Sequence, residues 1–179
     1  MTYEAVNSDD AATAKAQFED GSCDAWTGDM SAMVAQKFGL DTEAVPNSAI
    51  MPELLSKEPL AAATRDNDDD WNDVVTWVWY GMLTAEELGV DSTNYADQNM
   101  SNPAYSRLLN NTLGLGTEAN PLSPTWMQSV LATSGNYYEA YDRSFCDGTG
   151  QMANCLIERA GTQNAPHWEG GLQYAPPMR

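Results

Sequence analysis

Positive charge is scarce in this sequence. Its 179 residues include 8 Lys and Arg against 26 Asp and Glu, giving a formal net charge of -18 at pH 7. Such a surface repels nucleic-acid phosphates and anionic lipid headgroups, so we expect no nucleic-acid partner. Long apolar runs are also missing, because the most apolar segment, residues 74–83, is far shorter than the roughly 20 residues of a membrane span. We therefore expect no direct membrane insertion.

Histidine and cysteine are rare, which argues against metal and nucleophile chemistry. The chain has 1 His and 3 Cys, and no two cysteines form a CxxC pair, so we expect no metal site and no cofactor. The sequence contains no nucleophile elbow, P-loop or dinucleotide fingerprint. His167 stands beside Trp168 and is more typical of a packing or surface histidine than of a general base.

Two of the cysteines flank a glycine-rich loop. Cys146 and Cys155 enclose residues 147–154, which read Asp-Gly-Thr-Gly-Gln-Met-Ala-Asn. In an oxidising compartment they can close this loop as a disulfide, and otherwise they are two unpaired thiols. The sequence leaves both alternatives open.

An acidic run at residues 66–70 resembles the start of a calcium loop. Trp71, however, occupies the place where the sharp turn needs Gly, and Trp77 the place of the bidentate Glu. The calcium interpretation fails, and the run is better explained as a turn that caps the helix after it.

Hydrophobic periodicity predicts an α/β beginning. Residues 2–6 and 23–29 are predicted strands, and each precedes a predicted helix, at residues 10–19 and 30–38. Strands and helices that alternate with short links are typical of a parallel sheet covered by helices.

The remainder is predicted to be mainly helical. An aromatic-rich helix at 70–88 carries apolar residues at helical spacing, which indicates core packing more than a ligand box, and its Glu86 and Glu87 are expected to stay exposed. The scattered arginines are expected to be structural ion-pair partners. Five shorter helices are predicted at residues 94–99, 103–109, 125–133, 136–145 and 156–160.

Asp29 is the principal candidate for a site. It ends the predicted strand 23–29 just before a helix, and open α/β sheets bind ligands at such junctions. From the local sequence alone, capping of that helix by Asp29 or Ser31 is the favoured interpretation.

Several stretches of the chain, taken together and in this order, carry a resemblance to known proteins. They are residues 21–29 (Gly-Ser-Cys-Asp-Ala-Trp-Thr-Gly-Asp), 50–60 (Ile-Met-Pro-Glu-Leu-Leu-Ser-Lys-Glu-Pro-Leu), Arg65 with residues 69–71 (Asp-Asp-Trp), 136–143 (Asn-Tyr-Tyr-Glu-Ala-Tyr-Asp-Arg) and 170–179 (Gly-Gly-Leu-Gln-Tyr-Ala-Pro-Pro-Met-Arg). They resemble the general L-amino-acid-binding proteins of ABC transporters, a branch of the type II periplasmic solute-binding proteins. The similarity covers nearly all of the chain but only the carboxyl-terminal portion of such a protein.

The resemblance implies a partial type II periplasmic-binding-protein fold. Residues 1–52 would be part of the second α/β lobe, 53–90 would cross back to the first lobe, and 91–179 would form a helical carboxyl-terminal region packed on the first lobe. A periplasmic location is implied as well. The first residues show no secretory pattern, so we expect either a cytosolic chain or one without its original amino terminus.

The resemblance also implies a function without catalysis. Asp29 matches the family aspartate that holds the ligand's α-ammonium, and Thr27 and Gly28 would line the approach. Arg65 does not match the family arginine that grips the α-carboxylate. The expected partners are an L-amino acid and the permease of an ABC importer. Two alternatives stay open, a dehydratase-like enzyme of the same fold and a non-binding acidic interaction module.

Overall fold

The computed structural model describes residues 2–51, 53–56 and 60–179. The chain forms two compact units, Met1–Leu60 and Ala61–Arg179. Their boundary falls inside the segment 53–90 that was expected to cross between lobes, and the three-part division remains a prediction. The backbone break expected at Pro59 lies outside the described residues.

Six α-helices and two single-turn 3-10 helices account for the regular structure of the described residues. Each predicted helix up to residue 145 is confirmed to within two residues, the one at 94–99 as a 3-10 turn. The helix predicted at 156–160 is wrong, because those residues form bends and a turn. The α-helices are α1 (Ala11–Glu19), α2 (Met30–Phe38), α3 (Asp69–Glu87), α4 (Pro103–Leu109), α5 (Trp126–Ser134) and α6 (Tyr137–Phe145), with 3-10 turns at Tyr95–Asp97 and His167–Glu169.

Both predicted strands are absent as strands. Residues 2–7 and 23–29 have no ladder, and the described part of the chain holds only two isolated bridges, Gly116 with Pro121 and Pro166 with Gln173. A strand exists by exchanging backbone hydrogen bonds with a neighbour, and the described residues supply no such neighbour to either segment. Of the predicted alternation of strands and helices, the described residues therefore form only the two helices, α1 and α2.

The unit Met1–Leu60 is built around α1 and α2 and has little core. Asp10 caps α1 by accepting the Thr13 N–H at 2.7 Å, and Gly21, at φ +77°, follows its end. No side chain of α1 is buried. Among the described residues of this unit, Val34 of α2 is the one buried hydrophobic side chain.

The unit Ala61–Arg179 holds the hydrophobic core. Helix α3 packs against α4, α5 and α6. Gly81 permits the close approach of α5, since a Cβ there would overlap the sulfur of Met127. The predicted apolar face of α3 packs on the core, although Trp71 is 55% and Trp79 45% exposed. The buried core residues are Ala85, Val90, Leu108, Leu109, Leu115, Trp126, Met127, Leu131 and Met178.

No helix within the described ranges has both the length and the apolar character needed to cross a bilayer.

Candidate functional site

Asp29 is the N-cap of α2, as the local sequence indicated. Its Oδ1 accepts the Ser31 N–H at 3.2 Å, and its Oδ2 accepts the Ser31 hydroxyl at 2.7 Å. The side chain is half-buried. Each carboxylate oxygen offers two acceptor positions, so both oxygens can still receive a further donor. The cap and a binding role are therefore compatible.

The two residues before Asp29 are open to solvent. Thr27 and Gly28 are exposed, and a Cβ on Gly28 would lie 2.7 Å from the terminal methyl of Met33. The glycine thus lets Met33 pack closely against the backbone beside the carboxylate. Of the two ion pairs that the described residues form, neither includes Asp29. Its carboxylate therefore pairs with no cation among those residues.

Arg65 lies in the other unit, on an open groove of about 510 Å³. The groove is also lined by Ala63, Thr64, Asp68 and Trp71. The Asp68 side chain caps α3 by accepting the Trp71 N–H at 3.3 Å, as expected of the acidic run. We assign no ligand to this groove.

The structure joins Cys146 and Cys155 in a disulfide, so the bridged alternative is the one adopted. The bridge encloses an exposed loop whose Gly150 and Met152 N–H groups donate to the carboxylate of Asp142, at 2.7 and 2.9 Å. In the described ranges, no group of three or more His, Cys, Asp or Glu side chains is placed to hold a metal ion.

Sequence reasoning missed a buried ion pair. Arg159 binds Glu86 with both terminal nitrogens, Nη1 and Nη2, and its Nε donates to the Asn164 carbonyl at 2.7 Å. The prediction that Glu86 is exposed is wrong, whereas the structural role expected of Arg159 is confirmed. The guanidinium also lies over the ring of Tyr137 at 4.8 Å. The partners are 73 residues apart, and no local signal in the sequence points from one to the other.

The sequence matches no family model, but it has similar curated relatives. It is 35% identical to the glutamate/glutamine/aspartate/asparagine-binding protein BztA of Rhodobacter capsulatus. It is 34% identical both to the general L-amino acid-binding periplasmic protein AapJ of Rhizobium johnstonii and to the putative amino-acid ABC transporter-binding protein YhdW of Escherichia coli. Each match covers 100% of this chain but 50–51% of the relative.

A solved structure also matches the entire chain and about half of its own length. An ABC transporter periplasmic binding protein from Brucella ovis, with glutathione bound, matches 100% of this chain and 54% of its own, with a TM-score of 0.77 and 31% identity.

The chain therefore has a partial periplasmic-binding-protein fold. The resemblance drawn from the sequence is confirmed: the homologues are amino-acid-binding periplasmic proteins of ABC transporters. The chain spans about half the length of the curated relatives that it matches. That coverage is consistent with the expected correspondence to the carboxyl-terminal portion of such a protein.

Proposed function

We propose that this chain is the amino-acid-binding component, or part of it, of an ABC-type import system. The observation that carries the proposal is similarity along the entire chain to proteins whose names specify amino-acid binding. These homologues are solute-binding proteins rather than enzymes, which supports a role without catalysis. Asp29 is the residue through which the chain would hold its ligand.

The proposed contact is a charge-assisted hydrogen bond from the ligand's α-ammonium to the Asp29 carboxylate. Such bonds contribute about 1.5–3 kcal/mol each. The carboxylate is half-buried and held by Ser31, so little orientational freedom remains to be lost on binding. Thr27 and Gly28 would form the open approach to it.

We infer that residues 1–52 belong to a second lobe, that 53–90 return to a first lobe, and that 91–179 pack on that lobe. The remaining parts of both lobes would correspond to the half of each relative's sequence that this chain does not match. The partner of the ligand's α-carboxylate would lie there too. We therefore expect weak or no amino-acid binding by the chain alone.

The proposed setting is the periplasm, where the chain would deliver an L-amino acid to a membrane permease. The names of AapJ and of the Brucella ovis protein, both of which contain the word periplasmic, support this location. The Cys146–Cys155 disulfide also supports it, since disulfides form in oxidising compartments.

The test is calorimetric, and it uses a chimera in which this chain replaces the segment it aligns with in the Rhodobacter capsulatus relative. The titrants are L-glutamate, L-glutamine, L-aspartate, L-asparagine and glutathione. An Asn at position 29 can still cap α2, so Asp29→Asn removes the charge without removing the cap. The loss of one charge-assisted bond, about 1.5–3 kcal/mol, predicts affinity lower by about 10- to 150-fold.

Asp24→Asn is the matched control. Asp24 is an exposed acid of the same segment and makes no side-chain hydrogen bond in the described structure, so its replacement should leave affinity unchanged. Equal affinity in the Asp29→Asn, Asp29→Ala and unsubstituted chimeras would refute the proposed role of Asp29. A folded chimera that responds to none of the titrants would refute the proposed function.

A further inference from the structure

The loop between Cys146 and Cys155 is held without a hydrophobic core. Between Arg143 and Leu156 no residue is buried, and most loop residues are exposed. Four residues of the loop have positive φ, and two of them, Met152 and Asn154, are not glycine. Such a backbone persists only where the surroundings fix it.

Besides the disulfide and hydrogen bonds within the loop, one buried carboxylate of α6 holds the loop. Asp142 of α6 is 1% exposed and accepts the Gly150 and Met152 N–H groups. Neither of the two ion pairs formed by the described residues includes Asp142. A buried carboxylate that loses its donors is strongly destabilising, so Asp142 and the loop conformation depend on each other.

The chain leaves Cys155 directly into the contacts that dock the carboxyl-terminal tail, residues 156–179. The Ile157 carbonyl accepts the Tyr141 hydroxyl at 3.2 Å, and Arg159 then binds Glu86 of α3. The disulfide and the Leu156 N–H, which donates to the Phe145 carbonyl at 2.7 Å, together fix the point from which the tail reaches α3 and α6.

We propose that the Cys146–Cys155 disulfide is a redox-controlled latch for this tail. The oxidised form holds the loop on Asp142 and so presents the tail to α3 and α6. A dithiol reductant that supplies two electrons and two protons breaks the S–S bond, forms the thiols of Cys146 and Cys155, and is itself oxidised to a disulfide. The loop then leaves the Asp142 carboxylate, water hydrates it, and the first tail residues undock from α3.

The test is amide hydrogen exchange on the full chain, with and without reduction by dithiothreitol and alkylation. Reduction should make the Gly150 and Met152 amides and residues 156–165 exchange at least about tenfold faster, because the contacts that close them are lost. Residues 103–109 of α4 and 126–134 of α5 should keep their protection. A Cys23→Ser background removes the third thiol and prevents alternative pairing.

Two variants separate the latch from a general effect of reduction. Cys146→Ser combined with Cys155→Ser should exchange like the reduced chain and ignore dithiothreitol. Asp142→Ala removes both acceptor oxygens, so it should release the two loop amides while mass spectrometry shows the disulfide intact. Unchanged exchange over 156–165 after reduction would overturn the latch. An equal loss of protection in α4 and α5 would also overturn the latch, because the bridge would then stabilise the whole unit. Alkylation of both cysteines without prior reduction would overturn it as well, because the bridge would then be absent.

Discussion

The guanidinium of Arg159 and the carboxylate of Glu86 form a two-point ion pair, with Nη1–Oε1 at 2.6 Å and Nη2–Oε2 at 3.0 Å. The two side chains are 7% and 10% exposed. Geometry of this kind is what a planar guanidinium offers and an ammonium cannot. The pair joins α3 to the tail of the same unit and leaves neither charge uncompensated.

Removing one partner of this pair should be costly. Glu86→Gln leaves the Arg159 charge buried without its counter-ion, which typically destabilises a protein by about 3–5 kcal/mol. Urea unfolding gives the free energy of unfolding directly. Glu87→Gln is the control, because Glu87 is exposed and should change stability by less than about 0.5 kcal/mol. Equal effects of the two substitutions would contradict a buried, energetically important pair.

The same pair shows where sequence reasoning stops. Helix positions followed from periodicity and local caps, and α2 begins and ends at the predicted residues. The burial of Glu86 could not be predicted from the pattern of its helix, because its partner Arg159 comes 73 residues later, from a segment without regular structure. A tertiary contact overrode the helical pattern.

The strand prediction was wrong for a related reason. The segment 23–29 has the pattern of a buried strand, yet a strand is defined by its neighbours, and none is present among the described residues. Asp29 was placed correctly at the start of α2 because capping is local. Its binding role rests on the resemblance and remains a proposal.

Asn136 should be a critical cap. Its Oδ1 accepts the Glu139 N–H at 3.0 Å, and its Nδ2 donates to the Val90 carbonyl at 2.9 Å while the side chain is 6% exposed. Asn136→Ala removes the cap and leaves the buried Val90 carbonyl without its hydrogen-bond donor. We therefore expect a loss of about 2–4 kcal/mol in unfolding free energy. Asn102→Ala removes only an exposed cap of α4 and should cost about 1 kcal/mol. Comparable losses would mean that the bond to Val90 contributes nothing.

The adjacent glycines of the tail should respond differently to alanine. At Gly171 a Cβ would overlap the backbone carbonyl of Ala165, which has no flexible end to move. Gly171→Ala should therefore cost about 1–3 kcal/mol and shift the local backbone. Gly170 has open space but a φ of +87°, so Gly170→Ala carries only a conformational cost of about 1–2 kcal/mol.

Thermal unfolding of both glycine variants, with chemical shifts for the amides of residues 165–173, tests this difference. Shift changes that spread through that segment in Gly171→Ala, but stay local in Gly170→Ala, are expected. The reverse pattern would contradict the packing described for Ala165.

Alkaline pH should weaken the unit Ala61–Arg179. Burial raises the pKa of Tyr137 and Tyr141 above the ordinary value of 10.0, although the Arg159 charge acts in the opposite direction on both. A raised pKa means that the folded state holds the proton more tightly. This contribution to stability is complete below pH 10 and is lost as pH rises through the folded pKa.

Spectrophotometric titration of phenolate formation checks that prediction. In the folded chain a late-titrating group of tyrosines is expected, and it should be smaller in Tyr141→Phe. The urea midpoint should fall as pH rises above about 10. A single titration step, identical in folded and urea-unfolded protein, would contradict the raised pKa values.

The two units should differ in local stability. In the unit Met1–Leu60, Val34 is the one buried hydrophobic side chain among the described residues, while Tyr3 is 86%, Phe38 71% and Leu55 85% exposed. Helical stability comes mainly from burying an apolar face, and α1 buries none. Amides of α1 and α2 should therefore exchange at least about tenfold faster than those of α3 and α5 in the same chain.

Hydrogen exchange with peptide mapping measures both units in one sample, so α3 and α5 act as the internal control. In the chimera used to test ligand binding, the added half should cover the apolar side chains of this unit. Exchange of α1 and α2 should then slow toward that of α3, together with the amides of residues 23–28, if these pair as a strand. Equal exchange of both units in the isolated chain would show that α1 and α2 are stable without added packing.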